Sequence, residues 1–229
     1  MAGAAAARPR LLTFDVYTAL FDCEGSLVPV VEGCGLANAP ALVRQWRAKQ
    51  LEYAQLGNSL PGGRLSFRLV TRRALDYVLA RSGAALSAPA IDRCMGTWDE
   101  LRPWPEAEDA LAGLAARGYR LGMLSNGDEE MLRALASRLR VRMDHVFASD
   151  RAGAYKPHPA MYALPLRELG IGREEFVHVA GSGNDVLGAK LSGLRCAWSN
   201  RTGDAMIDPA VRPDYETRDL AGLLGVLPA

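Results

Sequence analysis

A few side chains in this chain have the types and positions to form and break an ester. They are the carboxylates Asp15 and Asp185, the ammonium Lys156, and the Ser125-Asn126 pair. Asp15 closes the apolar run Leu11-Leu12-Thr13-Phe14. That puts it at the C-terminal end of an early strand, where open α/β sheets bind their ligands, and a carboxylate there can act as a covalent nucleophile. Two positions on stands Tyr17 rather than a second acid, which removes both a proton donor and a metal ligand. Ser125-Asn126 close a second apolar run, Lys156 follows a third, and Ser182 and Asp185 follow a fourth. Gathered in one site, Lys156 would neutralise the nucleophile and an anionic substrate. Ser125 and Asn126, with nearby backbone N–H groups, would bind substrate oxygens. Asp185 would either hold Lys156 or help a water attack the ester.

The elements that must position these groups are legible as short apolar strands over 11–16, 119–124, 145–148, 176–180 and 195–199. Helical patterns lie between them over 106–117, 128–139, 159–169 and 185–191. Strands alternating with helices at this spacing predict an α/β fold with a doubly wound parallel sheet. The interval 26–101 breaks the alternation and shows only helical periodicity, with Leu42, Val43, Trp46, Gln50, Leu51 and Tyr53 along one stripe. It reads as a helical cap inserted after the first strand, leaving 1–25 and 102–229 as the core. Pro61-Gly62-Gly63 marks a turn between cap helices, and Pro103-Trp104-Pro105 marks the return to the core. Trp46 is expected to pack the cap onto the core or onto a partner subunit, and its amphipathic helix is the candidate surface for a homodimer.

The composition supports a core: 49% of the 229 residues are hydrophobic. The formal net charge of +1 gives no sign of a nucleic-acid partner. Cys23, Cys34, Cys94 and Cys196 are scattered without a C-x-x-C pair, which favours reduced thiols in a cytoplasmic protein. Met1 to Arg10 is Ala-rich and reads as a frayed end, with no apolar stretch long enough for a signal peptide or a membrane span. His145, His158 and His178 have no metal-ligand spacing, so neither metal nor cofactor is expected.

The layout resembles the haloacid dehalogenase superfamily and, within it, the metal-independent (S)-specific 2-haloacid dehalogenases. The resemblance is carried by Phe14-Asp15-Val16-Tyr17 with Leu20-Phe21-Asp22, by Leu124-Ser125-Asn126-Gly127, and by Tyr155-Lys156-Pro157 with Tyr162. It continues in Asp185 with Gly188-Ala189-Lys190, in Trp198-Ser199-Asn200-Arg201-Thr202-Gly203, and in the cap segment Gln45 to Tyr53. It implies that Asp15 attacks C2 of a short 2-haloalkanoate, expels halide with inversion, and is freed by water as a 2-hydroxy acid leaves. It further implies that Arg47 binds the departing halide, Lys156 orients Asp15, and Ser125 holds the substrate carboxylate. Tyr17 and Tyr162 would line the pocket, Phe67 would add an apolar wall, and Ser182 would contact substrate.

Departures from the pattern are specific. Thr18-Ala19 stands where the family has Gly-Thr, so the hydroxyl beside the nucleophile is either missing or displaced by one residue. Ala180, Ser182 and Asn184 stand where the family has Ser, Asn and Trp. A magnesium-dependent phosphatase with an eroded metal site is one rival, opposed by Tyr17 and by Gly181 at its usual acidic position. A non-catalytic small-carboxylate-binding module is another, kept open by Ala19, Ala180 and Ser182.

Overall fold

The computed structural model describes residues 9–228. Residues 1–8 of the expected frayed end lie outside the described residues. Its last residue, Arg10, is held: its N–H donates to Glu175 and its carbonyl accepts from Arg120.

The chain runs β1 (Leu11–Phe14), β2 (Phe21–Asp22), helices α1 (Cys23–Gly33), α2 (Ala39–Gly57), α3 (Phe67–Ser82) and α4 (Ala88–Gly96), then β3 (Arg102–Pro103). It continues through α5 (Ala107–Ala116), β4 (Arg120–Ser125), α6 (Glu129–Ala136), β5 (His145–Ala148), α7 (Ser149–Ala152) and α8 (Pro159–Leu169). It ends with β6 (Phe176–Ala180), α9 (Gly183–Leu191), β7 (Arg195–Ser199), β8 (Tyr215–Thr217) and α10 (Leu223–Val226). Six strands form one parallel sheet in the order β5-β4-β1-β6-β7-β8. The expected doubly wound parallel sheet is therefore the observed one. Central β1 is buried on both faces, as a strand covered by helices on either side must be.

The first strand is shorter than its apolar run. It stops at Phe14, and Val16–Leu20 form a single π-helical turn closed by Leu20 N–H on the Asp15 carbonyl. β2 and β3, absent from the sequence reading, pair antiparallel through Phe21 with Pro103 and Asp22 with Arg102. The chain thus leaves and returns through one narrow ribbon. Trp104 pins it, its backbone N–H donating to Leu20 O at 3.0 Å and its indole N–H to Thr18 O at 3.1 Å. The third difference is β8, too short and polar to register as a strand in sequence.

The helices α1 to α4 share one continuous apolar cluster with the residues of the sheet. Trp46 is fully buried there, edge-on to Trp98 at 5.4 Å, with its indole N–H on Thr71 O at 2.8 Å. It joins α2 to α3 and, through Trp98, which stands edge-on to Tyr17 at 5.6 Å, ties these helices to the sheet; fully buried, it offers no surface to a partner subunit. All four cysteines are unbonded, although the fold brings the Cys34 and Cys94 sulfurs to 3.9 Å.

Candidate active site

The parallel topology brings the C-terminal ends of β1, β4 and β6 to one edge, and Lys156 reaches the same edge from the loop after α7. Asp15, Ser125, Lys156 and Asp185 are all buried there. Lys156 Nζ lies 3.2 Å from Asp15 Oδ1 and 2.8 Å from Asp185 Oδ2, an ammonium between two carboxylates. Burial pulls the Lys156 pKa down, but Asp185 and Asp15 together outweigh it and hold the pKa above 10.5. For Asp185 burial also opposes charge, yet His178 and Lys156 overcome it and keep the carboxyl well below 3.8.

Asp185 has both oxygens engaged. Oδ2 accepts from Lys156 and lies 2.9 Å from His178 Nε2, while Oδ1 accepts from the Tyr162 hydroxyl at 2.9 Å. A carboxylate so stabilised is a weak base. Of the two roles open to it in sequence, the geometry supports holding Lys156. Tyr162, expected to line the pocket, instead sits fully buried behind it and fixes Asp185. Phe67, expected as an apolar wall, is also fully buried and stacks on Tyr17 with centroids 5.4 Å apart, so it backs the wall that Tyr17 forms.

The π-helical turn resolves the displaced hydroxyl. Thr18 N–H and Thr18 Oγ1 both donate to Asp15 Oδ2, at 3.1 and 2.6 Å. Ala19 therefore leaves no gap, because the residue before it carries the donor. On the other oxygen, Ser125 Oγ approaches Asp15 Oδ1 at 3.4 Å, long for a hydrogen bond and able to turn to a substrate oxygen. Asn126 Oδ1 accepts from Lys156 N–H at 2.7 Å, which leaves its amide N–H₂ as the group to offer a ligand. From the cap side, Asn58 brackets the Tyr155 backbone with two hydrogen bonds of 2.8 and 2.9 Å. The lysine loop is thus clamped from both directions.

These groups surround a chamber of about 100 Å³ lined also by Tyr17, Arg47, Ser182 and Asn184. Arg47 reaches it from α2. Its guanidinium carbon sits 5.3 Å from the Tyr17 ring centroid and 5.8 Å from that of Trp98. One Arg47 N–H donates to Gln50 Oε1; the Gln50 amide donates to Thr71 Oγ1, which donates to Phe67 O at 2.7 Å. Arg47 Nε, the Tyr17 hydroxyl and the Trp98 indole N–H are buried donors without a protein acceptor. Unsatisfied buried donors cost about 1–3 kcal/mol each, so this cluster is built to receive an electron-rich group. Burial keeps the Tyr17 hydroxyl protonated, pushing its pKa well above 10 despite Arg47 beside it.

Gln50→Leu cuts the chain that orients Arg47. It is expected to lower turnover by about ten- to a hundredfold through misplacement of the guanidinium alone, measured by initial-rate kinetics with a thermal melt as the control for folding.

Sequence reasoning missed Gln50 and His178, and left open whether Thr18 supplies the hydroxyl beside the nucleophile. Gln50 gave a signal, a fully buried amide on an otherwise apolar helical stripe. His178 gave another, as the one polar residue inside the run of β6; it pairs in register with Thr13 of β1, whose hydroxyl lies 2.9 Å from His178 Nδ1. A ring carrying its hydrogen on Nε2 donates to Asp185 and accepts from Thr13. His158, by contrast, caps α8 through Ala160 N–H at 3.2 Å.

Comparison with known proteins agrees with this geometry. A family model described as haloacid dehalogenase-like hydrolase matches residues 16–193. Haloacetate dehalogenase H-2 of Moraxella sp. (strain B) is 34% identical over 89% of this chain and 91% of its own length. The (S)-2-haloacid dehalogenase of Pseudomonas sp. (strain YL) is 31% identical over 93% of this chain and 92% of its own. Among solved structures, an L-2-haloacid dehalogenase superposes with a TM-score of 0.91 at 31% identity, covering 97% of this chain and all of the other. The Xanthobacter autotrophicus L-2-haloacid dehalogenase with chloropropionic acid covalently bound gives 0.82 at 29% identity, covering 95% of this chain and 98% of its own.

Proposed function

The chain belongs to the haloacid dehalogenase-like hydrolases, and from that premise we propose that it hydrolyses short (S)-2-haloalkanoic acids to 2-hydroxy acids through an ester on Asp15, without a metal ion. The observation that carries this reading is Lys156 held between Asp15 and Asp185 at 3.2 and 2.8 Å. An anionic nucleophile meeting an anionic substrate requires a fixed cation. The phosphatase alternative adds Mg²⁺, whereas here Tyr17 stands where a second acidic ligand would be. No group of three or more His, Cys, Asp or Glu side chains suited to a metal assembles among the described residues.

In the first step Asp15 Oδ1 attacks C2, and the halide leaves from the opposite face with the bonding pair. Ser125 and the Asn126 amide bind the substrate carboxylate. Arg47, with the Tyr17 hydroxyl, receives the halide as its charge grows. In the second step water adds to Cγ of the ester, and charge gathers on Oδ2, where the two Thr18 donors lie. Collapse breaks the Cγ–Oδ1 bond, releases the 2-hydroxy acid and one proton, and restores the carboxylate. Ser182, on the chamber wall, is the residue we assign to contact the product hydroxyl.

The test is chloride release from (S)-2-chloropropionate by the EDTA-treated protein, against phosphate release from p-nitrophenyl phosphate with Mg²⁺. Metal-free chloride release is the expected result. Phosphate release alone would establish the phosphatase, and tight binding of the haloacid with neither product would establish the binding module. Thr18→Val is expected to slow ester hydrolysis by about 10²-fold, with the ester accumulating as a mass adduct on Asp15, while Thr18→Ser stays within about threefold.

We extend the proposal to the organisation of the chain. Residues 1–25 and 102–229 act as the core and 26–101 as the cap, a division supported by the β2–β3 ribbon at the crossing. A cytoplasmic location is supported by the four unbonded thiols, and no described helix is long and apolar enough to cross a membrane. For a homodimer, Leu56 and Leu60, half exposed at the end of α2, are the apolar groups available, and light scattering checks it.

A further inference from the structure

The chamber at Asp15 is not closed on the cap side. Tyr17, Thr18, Arg47 and Leu51 line it and also line a second chamber of about 430 Å³ between α1, α2 and the Trp104 segment. Whole-ligand pockets run from about 300 to 1,000 Å³. The second chamber has that size, while the first accommodates only the reacting end of a substrate.

The walls of the second chamber define its chemistry. Leu27, Val43, Ala48, Leu51, Trp104 and the Tyr17 ring supply an apolar lining. The cations in its wall are already committed: Arg47 faces the halide position of the adjoining chamber, and the other two are paired. Arg44 pairs with Glu24 at 2.7 Å, and Arg201 pairs with Glu106 while lying 4.0 Å over the Trp104 ring. The carboxylate of Asp22 sits in the same wall. A second carboxylate on the substrate finds no spare cation here, whereas an uncharged apolar group finds a dry surface. Cys23 also lines the space, and burial pushes its thiol up to about 12. It stays protonated, and so does not compete with Asp15 for an alkyl halide.

Resting on the reaction proposed above, we infer that the second chamber is a side-chain subsite, which extends the substrate range from the short acids to 2-halo acids bearing a longer, uncharged apolar group at C2. Two of the substituents on C2 are already assigned. The carboxylate lies toward Ser125 and Asn126, and the halogen lies opposite Asp15 toward Arg47, as in-line displacement demands. The remaining carbon substituent leaves the small polar chamber past Tyr17 and Leu51, into the apolar space that adjoins it.

The experiment is a chain-length series, read as chloride release from chloroacetate, (S)-2-chloropropionate and (S)-2-chlorohexanoate. Each methylene buried is worth about a factor of four. The expected result is a kcat/KM at least about tenfold higher for chlorohexanoate than for chloropropionate. Ala48→Trp, exposed on α2 and filling the chamber, and Thr202→Trp, exposed on the facing loop, are expected to erase that gain. Both should leave chloroacetate within about twofold of the parent, with thermal melts reporting that each is folded. A kcat/KM that falls with chain length, with chloroacetate still turned over, would overturn the subsite and leave the reaction standing. Parallel losses on all three acids in both folded variants would also overturn it, making the space a common entrance. No chloride from any acid would overturn the reaction, and the subsite with it.

Discussion

Asp15→Asn is expected to lower chloride release from (S)-2-chloropropionate by at least about 10⁴-fold, because the amide removes the nucleophile and no other group supplies one. Asp15 lies beside a lysine that retains Asp185 at 2.8 Å when Asp15 becomes neutral. The buried ammonium therefore keeps a counter-ion, and the melting temperature should stay within a few degrees of the parent. That combination separates chemistry from folding. A single turnover in H₂¹⁸O with enzyme in excess completes the test. Water attacks Cγ of the ester, so the label must appear in the Asp15-containing peptide and not in the hydroxy acid. Label in the product would mean direct displacement by water, and the ester route would fall.

The sequence showed Asp15, Lys156, Ser125 and Asp185 because each follows an apolar run, and in a parallel sheet run ends share one edge. It showed the fold class for the same reason: strand and helix periods alternate cleanly after residue 102. What it did not show depends on geometry finer than periodicity. A π-helical turn after β1 decides that Thr18 rather than Ala19 faces the nucleophile, and nothing in Val16-Tyr17-Thr18-Ala19-Leu20 announces a π-turn over an α-turn. The resemblance put Tyr162 and Phe67 in the pocket, but α8 and α3 hold them one layer behind, where one fixes Asp185 and the other supports Tyr17. His178 and Thr13 look like lone polar residues in strands until β1 and β6 are known to be neighbours in register. The ribbon of β2 and β3 has two residues a side, below the length at which alternation can be seen.

Asp185→Asn reaches the site by a different route, and its effect should be read against pH. In the parent the Asp185 carboxyl titrates below its ordinary 3.8. Its contribution to stability is fully present above about 4 and is lost as pH falls through the depressed value. Lys156 titrates above 10.5, so its contribution is present below that pH and lost as pH rises through the elevated value. Between these limits the pair is constant, and the parent should show a flat lysine-dependent plateau whose alkaline limb lies above 10.5. Burial is the largest influence on Lys156 and Asp185 the largest of those opposing it. With Asp185 neutral, only Asp15 at 3.2 Å remains against burial, and the lysine pKa must fall. The alkaline limb of kcat/KM is therefore expected to move toward neutral pH, and urea unfolding at pH 7 should show a loss of about 3–5 kcal/mol, because Lys156, His178 and Tyr162 all lose the buried carboxylate they share. The two readouts separate a positioning role from a base. If Asp185 served only to deprotonate water, turnover would drop while the alkaline limb and the unfolding midpoint stayed in place. A limb that does not move would show that Asp15 alone holds Lys156, and would remove Asp185 from the lysine clamp.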